Sequence, residues 1–345
     1  MQHYNFKQFE SIKRQLVGQG LGRFPHAILL AGPEGVGKQA FAENLVALLL
    51  CEAPTAALEA CGQCPSCHWL NTGNHPDFRR VAPAGDEEGE EGASETVKRR
   101  GGSTLIRIDQ IRELEDFVFV GSHRQGNRVV LLTEAEAMNP AAANALLKIL
   151  EEPPATVYFI LITSKQKNLL PTLRSRCRVI PVPLPEPMAA AEFLRVAGLG
   201  DQAMRYLTLA GGAPLKVEQW KIAGQLATID AVVDSLTKPA TDPLALAARW
   251  DGLLKNDGAF RLDHLVECVQ RWLFDLALER MTGEVRYHRG WPRPKNVSAL
   301  DPLTLVAAWR ELLPLRRSAR HPLNQLLFIE TLASYTLHAI NSSTR

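Results

Sequence analysis

Between His26 and Cys51 the chain reads "HAILLAGPEGVGKQAFAENLVALLLC". The run His26–Ala31 is apolar and too short for a core helix, which predicts a strand buried on both faces, as in parallel sheets. From Lys38 onward, Phe41, Leu45, Leu48 and Leu49 fall on one helical face. Strand, glycine turn and helix in that order restrict the first domain to an α/β layer built on a parallel sheet. The turn "GPEGVGKQ", Gly32 to Gln39, matches the phosphate-binding pattern at Gly32, Gly37 and Lys38. It departs at Gln39, where the pattern has Ser or Thr.

The same alternation continues downstream. "HPDFRRVAP" is a candidate strand and "IRIDQIRELEDFVFV" an amphipathic helix. "RVVLLTEAEAM" reads as a strand ending in acidic residues. "NPAAANALLKILEEPP" is a helix with both ends marked: Asn139 caps it, Pro140 suits the first turn and Pro153 stops it. "TVYFILITS" and "LRSRCRVIPV" supply further strands, the second entered through basic residues. Beyond Pro185 strand signals fade and helical patterns take over. Residues 84–102, "AGDEEGEEGASETVKRRGG", hold nothing that fills a core and are expected to form a disordered or loosely attached loop.

A chain of 345 residues with net charge +2 accommodates two or three domains and carries no global field that selects nucleic acid or membrane. No apolar run spans a bilayer, and the polar N-terminus has no apolar signal core, so a soluble cytoplasmic protein without a membrane partner is expected. In that compartment six cysteines point to metal or buried thiols before disulfides. Cys51, Cys61, Cys64 and Cys67 leave nine, two and two residues between them, and four thiolates suit tetrahedral zinc. No water-binding position or general base accompanies them, which makes the site structural. Two other assignments stay open: free thiols with Cys51 buried at a helix end, or His68 or His75 in place of Cys51.

A working phosphate loop cradles phosphates with its backbone N–H groups and the helix N-terminus; here the candidate loop residues are Gly32, Pro33, Gly35, Gly37, Lys38 and Gln39, of which Pro33 shapes the turn without an N–H to donate. Its magnesium takes a hydroxyl from the residue after the lysine and a carboxylate from the end of a second strand. Here those positions read Gln39 and Thr133-Glu134. An amide is a poor ligand for a tight octahedral ion and Thr133 cannot neutralise it. Suppressed turnover is the expectation; the glycines and Lys38 permit ATP to bind without hydrolysis but do not require that the site be occupied.

With these residues on the page, "NPAAANALLKILEEPP" followed by "LRSRC", together with the cysteine knuckle, resembles the bacterial clamp-loader branch of the AAA+ ATPases. The resemblance is specific over residues 20–180 and weak after about 215. It implies an AAA+ P-loop domain over 1–182 carrying the zinc module (51–67), a helical lid over 183–226 and an all-α collar over 227–345. It implies a hetero-pentameric ring with delta and gamma/tau subunits that loads the sliding clamp onto primed DNA during replication. The chain would then belong to a DNA-directed DNA polymerase (nucleotidyltransferase) assembly, with no polymerase carboxylates of its own. Altered magnesium positions with an intact Ser-Arg-Cys motif are similar to the stator type of subunit. That type presents Arg176 in trans as an arginine finger to a neighbour's ATP site. Glu134 then stands at the degenerate acidic position and Thr163 at the first sensor, with an ordinary core threonine as the other reading. The second-sensor arginine is absent, Pro214 lying near its place.

An autonomous ATPase motor and a zinc-containing DNA-binding protein remain as alternatives. In the collar, Leu323, Leu326, Leu327, Ile329, Leu332 and Leu337 make a broad apolar helix surface. "RYHRGWPRPKN", 286–296, reads as a solvated interhelical loop, with DNA contact as the alternative.

Overall fold

A computed structural model describes residues 6–18, 20–83, 105–119, 126–238, 242–294, 297–319 and 324–341. The acidic–basic stretch 84–102 lies outside them. The chain forms two compact units, Met1–Pro185 and Glu186–Arg345.

The first unit carries α1 (Lys7–Val17), β1 (Ala27–Ala31), α2 (Lys38–Leu50), α3 (Pro65–Asn71), β2 (Phe78–Val81), α4 (Ile108–Phe119), β3 (Arg128–Leu132), α5 (Pro140–Glu151), β4 (Val157–Thr163), α6 (Pro171–Arg176) and β5 (Arg178–Pro181). The sheet order is β2-β3-β4-β1-β5, and every pair is parallel. Strands β1 and β3 are buried at all five positions, which is why they read as unbroken apolar runs and not as alternations. One sheet face packs Leu29, Val130, Phe159 and Leu161 against Ile111 and Leu114 of α4 and Leu146 and Ile149 of α5. On α1 and α2, the rings of Phe9 and Phe41 stack at 4.8 Å.

The sequence signals for α5 hold atom by atom. Asn139 accepts a hydrogen bond from the Ala142 N–H at 2.7 Å, Pro140 occupies the first turn, and the helix ends at Glu151, ahead of Pro153. All five strands run the same way, so the loops after β1, β3 and β4 emerge along one edge of the sheet. Chemistry in such folds collects there.

The second unit is helical throughout its described residues: α7 (Pro187–Leu194), α8 (Ala203–Leu209), α9 (Pro214–Ile222), α10 (Leu226–Thr237), α11 (Pro243–Asn256), α12 (Leu262–Thr282), α13 (Pro302–Ser318) and α14 (Gln325–Asn341). One hydrophobic cluster runs from Ala190 to Ile340 around Tyr206, Trp250 and Trp272, drawing on both sides of the expected 226/227 boundary. In α14, Ile329, Leu332 and Leu337 are buried while Leu326 and Leu327 are exposed; Leu323 lies outside the described residues. Among the described residues no helix is long and apolar enough to cross a membrane.

Over its described residues, 286–294, the 286–296 segment departs from the solvated loop expected of it. Asp275, fully buried on α12, accepts hydrogen bonds from the backbone N–H groups of Arg286, Tyr287 and His288 and from His288 Nδ1. His288 is fully buried and Trp291 nearly so. A single buried carboxylate, distant in sequence, folds the loop back onto the core, and no local pattern announces it.

Candidate functional site

The glycine loop leaves β1 through a close approach. A Cβ on Gly32 would sit 2.1 Å from the Val182 carbonyl oxygen, so only glycine fits. Gly37 is the N-cap of α2 with φ +100°, a conformation that also selects glycine. This geometry sets Lys38 on the first turn of α2, directed back into the loop.

Lys38 is 5% exposed. Its Nζ donates to the carbonyl oxygens of Gly32 (2.8 Å) and Pro33 (2.6 Å) and to Ser164 Oγ (3.1 Å). Burial lowers its pKa to about 8, against the opposing fields of Glu136 and Glu34. The ammonium that an outer phosphate would need is thus spent within the protein, tying the loop to the end of β4. Gln39 Nε2 donates to Glu43 Oε1 one turn along α2, at 3.2 Å, and Glu43 in turn receives Arg80 at 2.6 Å.

At the end of β3, Thr133 hydrogen-bonds by its N–H to the Val81 carbonyl at 3.0 Å. Glu134 adopts a left-handed backbone, φ +51°, and opens a 3₁₀ turn over Ala135–Ala137. That turn brings the next acidic residue to the site. Glu136 Oε1 accepts the Ser164 N–H at 3.0 Å, and the same carboxylate provides the main field on Lys38. Its Oε2 is buried without a hydrogen-bond partner. Thr163 is fully buried; its Oγ1 accepts the Lys165 N–H at 3.1 Å and its carbonyl accepts the Gly32 N–H at 3.2 Å.

The structure therefore brings Gly32, Pro33, Gly35, Gly37, Lys38 and Thr163 together on one edge, with two residues that sequence reasoning missed, Ser164 and Glu136. Glu136 lies in the same "TEAEA" stretch, but only the left-handed step at Glu134 decides which of the two carboxylates turns toward the lysine.

Arg176 lies elsewhere. It ends α6, immediately before β5, whose first residue Arg178 pairs with Ile28 while Pro181 pairs with Ala31. The phosphate loop leaves the other end of β1, so about 10 Å of strand separates the two levels at ~3.3 Å per residue. Arg176 Nη2 meets Glu151 Oε1 at 2.5 Å, its Nη1 donates to the Thr172 carbonyl at 3.1 Å, and a third of the side chain remains exposed. Cys177 beside it is core, its thiol pushed up to about 11 by burial.

The four cysteines converge. Cys51, Cys61, Cys64 and Cys67 have all four sulfurs within 4.8 Å of one another, and Cys61 Sγ lies 4.0 Å from Cys67 Sγ. A zinc tetrahedron with bonds of about 2.3 Å needs sulfurs about 3.8 Å apart, so the donor set fits. Backbone N–H groups point at the sulfurs, Cys61 to Cys51, Cys64 to Cys61 and Cys67 to Cys64. N–H bonds from Gln63 and Cys64 lower the Cys61 thiol to about 6. The histidine alternative at position 75 is closed. His75 is buried, with Nε2 on Ser66 Oγ at 2.7 Å and Nδ1 accepting the Asp77 N–H at 3.0 Å. Zinc held by these thiolates would cross-link the 51–67 loop and perform no chemistry.

The family model described as DNA polymerase III, delta subunit, matches residues 7–185. The chain belongs to this family. A relative from Pseudomonas aeruginosa named DNA polymerase III subunit delta' is 40% identical over 241 residues, covering 68% of each chain. A delta' subunit from Yersinia pestis is 31% identical over 330 residues, covering 92% of this chain and 88% of its own. Among solved structures, a DNA polymerase III gamma-subunit-related protein from Thermotoga maritima aligns with 96% of this chain and 99% of its own at TM-score 0.48 and 19% identity. The family match covers the phosphate loop, the cysteine cluster and Arg176, so the residues described above all lie in the family's own segment.

Proposed function

We propose that this chain is a delta'-type clamp-loader subunit: a stator that turns over no ATP itself and completes the ATP site of a neighbouring subunit with Arg176. Its partners are the delta and gamma/tau subunits of a hetero-pentameric ring, and through the ring the sliding clamp and primed DNA. The relatives named delta' support the assignment. The observation that carries the stator reading is the division of labour across the sheet. On one edge Lys38 is bound to its own loop, Gln39 is turned to Glu43, and Thr133 faces Val81. On the other, a semi-exposed guanidinium stands too far from that loop to serve it.

Phosphoryl transfer depends on charge stabilisation around the transferring group, and an arginine supplied in trans contributes about 10³–10⁵ in rate in well-characterised cases. Occupying the phosphate cradle would require Lys38 to give up three hydrogen bonds, and no magnesium ligand would reward the exchange. Nucleotide therefore binds weakly or without hydrolysis. In this reading Glu134 and Thr163 are remnants, zinc on Cys51, Cys61, Cys64 and Cys67 staples the first domain, residues 183–226 act as a lid, and residues 227–345 as the collar that joins the ring.

The test is ATP binding and turnover by the purified chain with and without Mg²⁺, beside Arg176→Ala in the reconstituted complex. The expectation is no turnover by the chain alone and a complex that assembles but hydrolyses ATP at least tenfold more slowly. Magnesium-dependent turnover by the chain, lost on Lys38→Ala, would make it a motor instead.

A further inference from the structure

Three arginines alternate along the α6–β5 junction, Arg174, Arg176 and Arg178. The side chains of Arg174 and Arg178 are exposed, and neither has a hydrogen-bond or ion-pair partner among the described residues. Arg176 alone is held, at two points and by two different elements. The Thr172 carbonyl, one turn back on its own helix, takes Nη1, and Glu151, the last residue of α5, takes Nη2. Both supports are anchored. Helix α5 is fixed by Leu146, Ile149 and Leu150 and helix α6 by Leu173, all four in the same buried cluster. A guanidinium has five N–H donors in a rigid plane. With one on Thr172 and one on Glu151, the plane is fixed and three donors remain for a ligand.

We infer that Glu151 is a positioning residue for Arg176, fixing the guanidinium plane so that its three remaining N–H groups meet the phosphates of a nucleotide held by the adjoining subunit. The inference rests on the proposed trans role of Arg176. An arginine side chain left free samples many rotamers, and each bond made in advance removes ordering cost from the transition state. The carboxylate's charge is not what the task needs, because a negative group beside the finger offsets part of its field at the transferring phosphoryl group. Reach and acceptor geometry are what it supplies. Gln at 151 retains both; Asp, one methylene shorter, retains the charge and loses the reach.

The experiment uses the full chain assembled with its partner subunits and primed DNA. It reads steady-state ATP turnover, with assembly checked by size exclusion. Four variants are compared with wild type: Arg176→Ala, Glu151→Ala, Glu151→Asp and Glu151→Gln. Glu151→Ala and Glu151→Asp are expected to lower kcat by about 5- to 10-fold with KM for ATP changed less than twofold, a fraction of the ~100-fold that a misplacement of about 1 Å can cost. Glu151→Gln holds kcat at or above wild type. In an Arg176→Ala background, Glu151→Ala adds nothing further.

If Arg176→Ala slows the complex while Glu151→Ala runs at the wild-type rate, the positioning role is gone and the finger stands. If Arg176→Ala leaves the rate unchanged, the trans reading itself fails. A faster Glu151→Ala complex would make the carboxylate a restraint on the finger. Loss of assembly in Glu151→Ala, or failure of Gln to rescue, would assign Glu151 to the interface or to charge. Each of these overturns the inference.

Discussion

Glu267, on α12, pairs with three cations from three helices, and its removal has a calculable consequence. Its carboxylate is 15% exposed and receives Lys216 on α9 at 2.9 Å, Arg271 on its own helix at 2.5 Å and Arg316 on α13 at 3.8 Å. Burial by itself would raise the carboxyl pKa, yet Arg271, Lys216 and Arg316 overcome it and bring the value from 4.5 down to about 2. At about 1.4 kcal/mol per pH unit, the ionised form contributes about 3 kcal/mol of stability. Breaking a buried ion pair costs a similar amount by mutation, about 3–5 kcal/mol.

Lys216 and Arg271 are themselves only 15% and 17% exposed, so Glu267→Gln strands two cations that water reaches poorly. Because the folded pKa lies below the unfolded one, the contribution is fully present above pH 4.5 and is lost as pH falls from there toward 2. The assay is urea unfolding followed by tryptophan fluorescence. Five of the six tryptophans, all but Trp69, lie in the second unit and report its transition. Glu267→Gln should cost about 3 kcal/mol at pH 7, and the gap to wild type should narrow steeply below pH 4. A variant within about 0.5 kcal/mol of wild type at pH 7 would refute the reasoning, showing that the three cations are solvated well enough to need no partner.

Other outcomes follow from single features. Cys64→Ser should lower bound zinc from one equivalent to well below it and raise protease cleavage within 51–75, leaving the tryptophan transition of the second unit in place; unchanged metal content by atomic absorption would remove the zinc assignment. Asn139→Ala deletes the cap on α5 and should destabilise the first unit by about 1 kcal/mol in denaturant melts, while Asn139→Asp should cost less. Asp275→Ala leaves the buried His288 N–H and ring and the part-buried N–H groups of Arg286 and Tyr287 without their acceptor and should cost about 3 kcal/mol; proteolysis confined to residues 283–294 would be its signature, and resistance equal to wild type would contradict the anchoring role.

How legible all this was in the sequence depends on how far apart the interacting residues stand. The parallel sheet, the capped α5, the glycine loop and the cysteine spacing are local statements. Each rests on residue types and their spacing along the chain, and each survives in the structure. Glu136 was missed because it depends on a non-glycine residue adopting a left-handed backbone, which no residue type at position 134 advertises. The 286–296 loop was misjudged because its prolines and basic residues describe its own preferences, whereas its position is dictated by Asp275, more than ten residues away.

By itself the sequence determined the kind of fold, the four thiols that converge, and the presence of Gln39 and Thr133 beside a glycine loop that matches the phosphate-binding pattern at Gly32, Gly37 and Lys38. Those follow from residue identity and spacing, which the chain carries whether folded or not. Only the tertiary structure decided what the surviving groups do. The parallel strands put the phosphate loop and Arg176 at opposite edges of one sheet, Lys38 closes onto Gly32, Pro33 and Ser164, and Glu151 meets Arg176 across two helices. The Lys38–Ser164 pairing joins residues 126 apart, and pairings of that kind are fixed by burial and by the need of each buried polar group for a partner, conditions that exist only once the chain has packed.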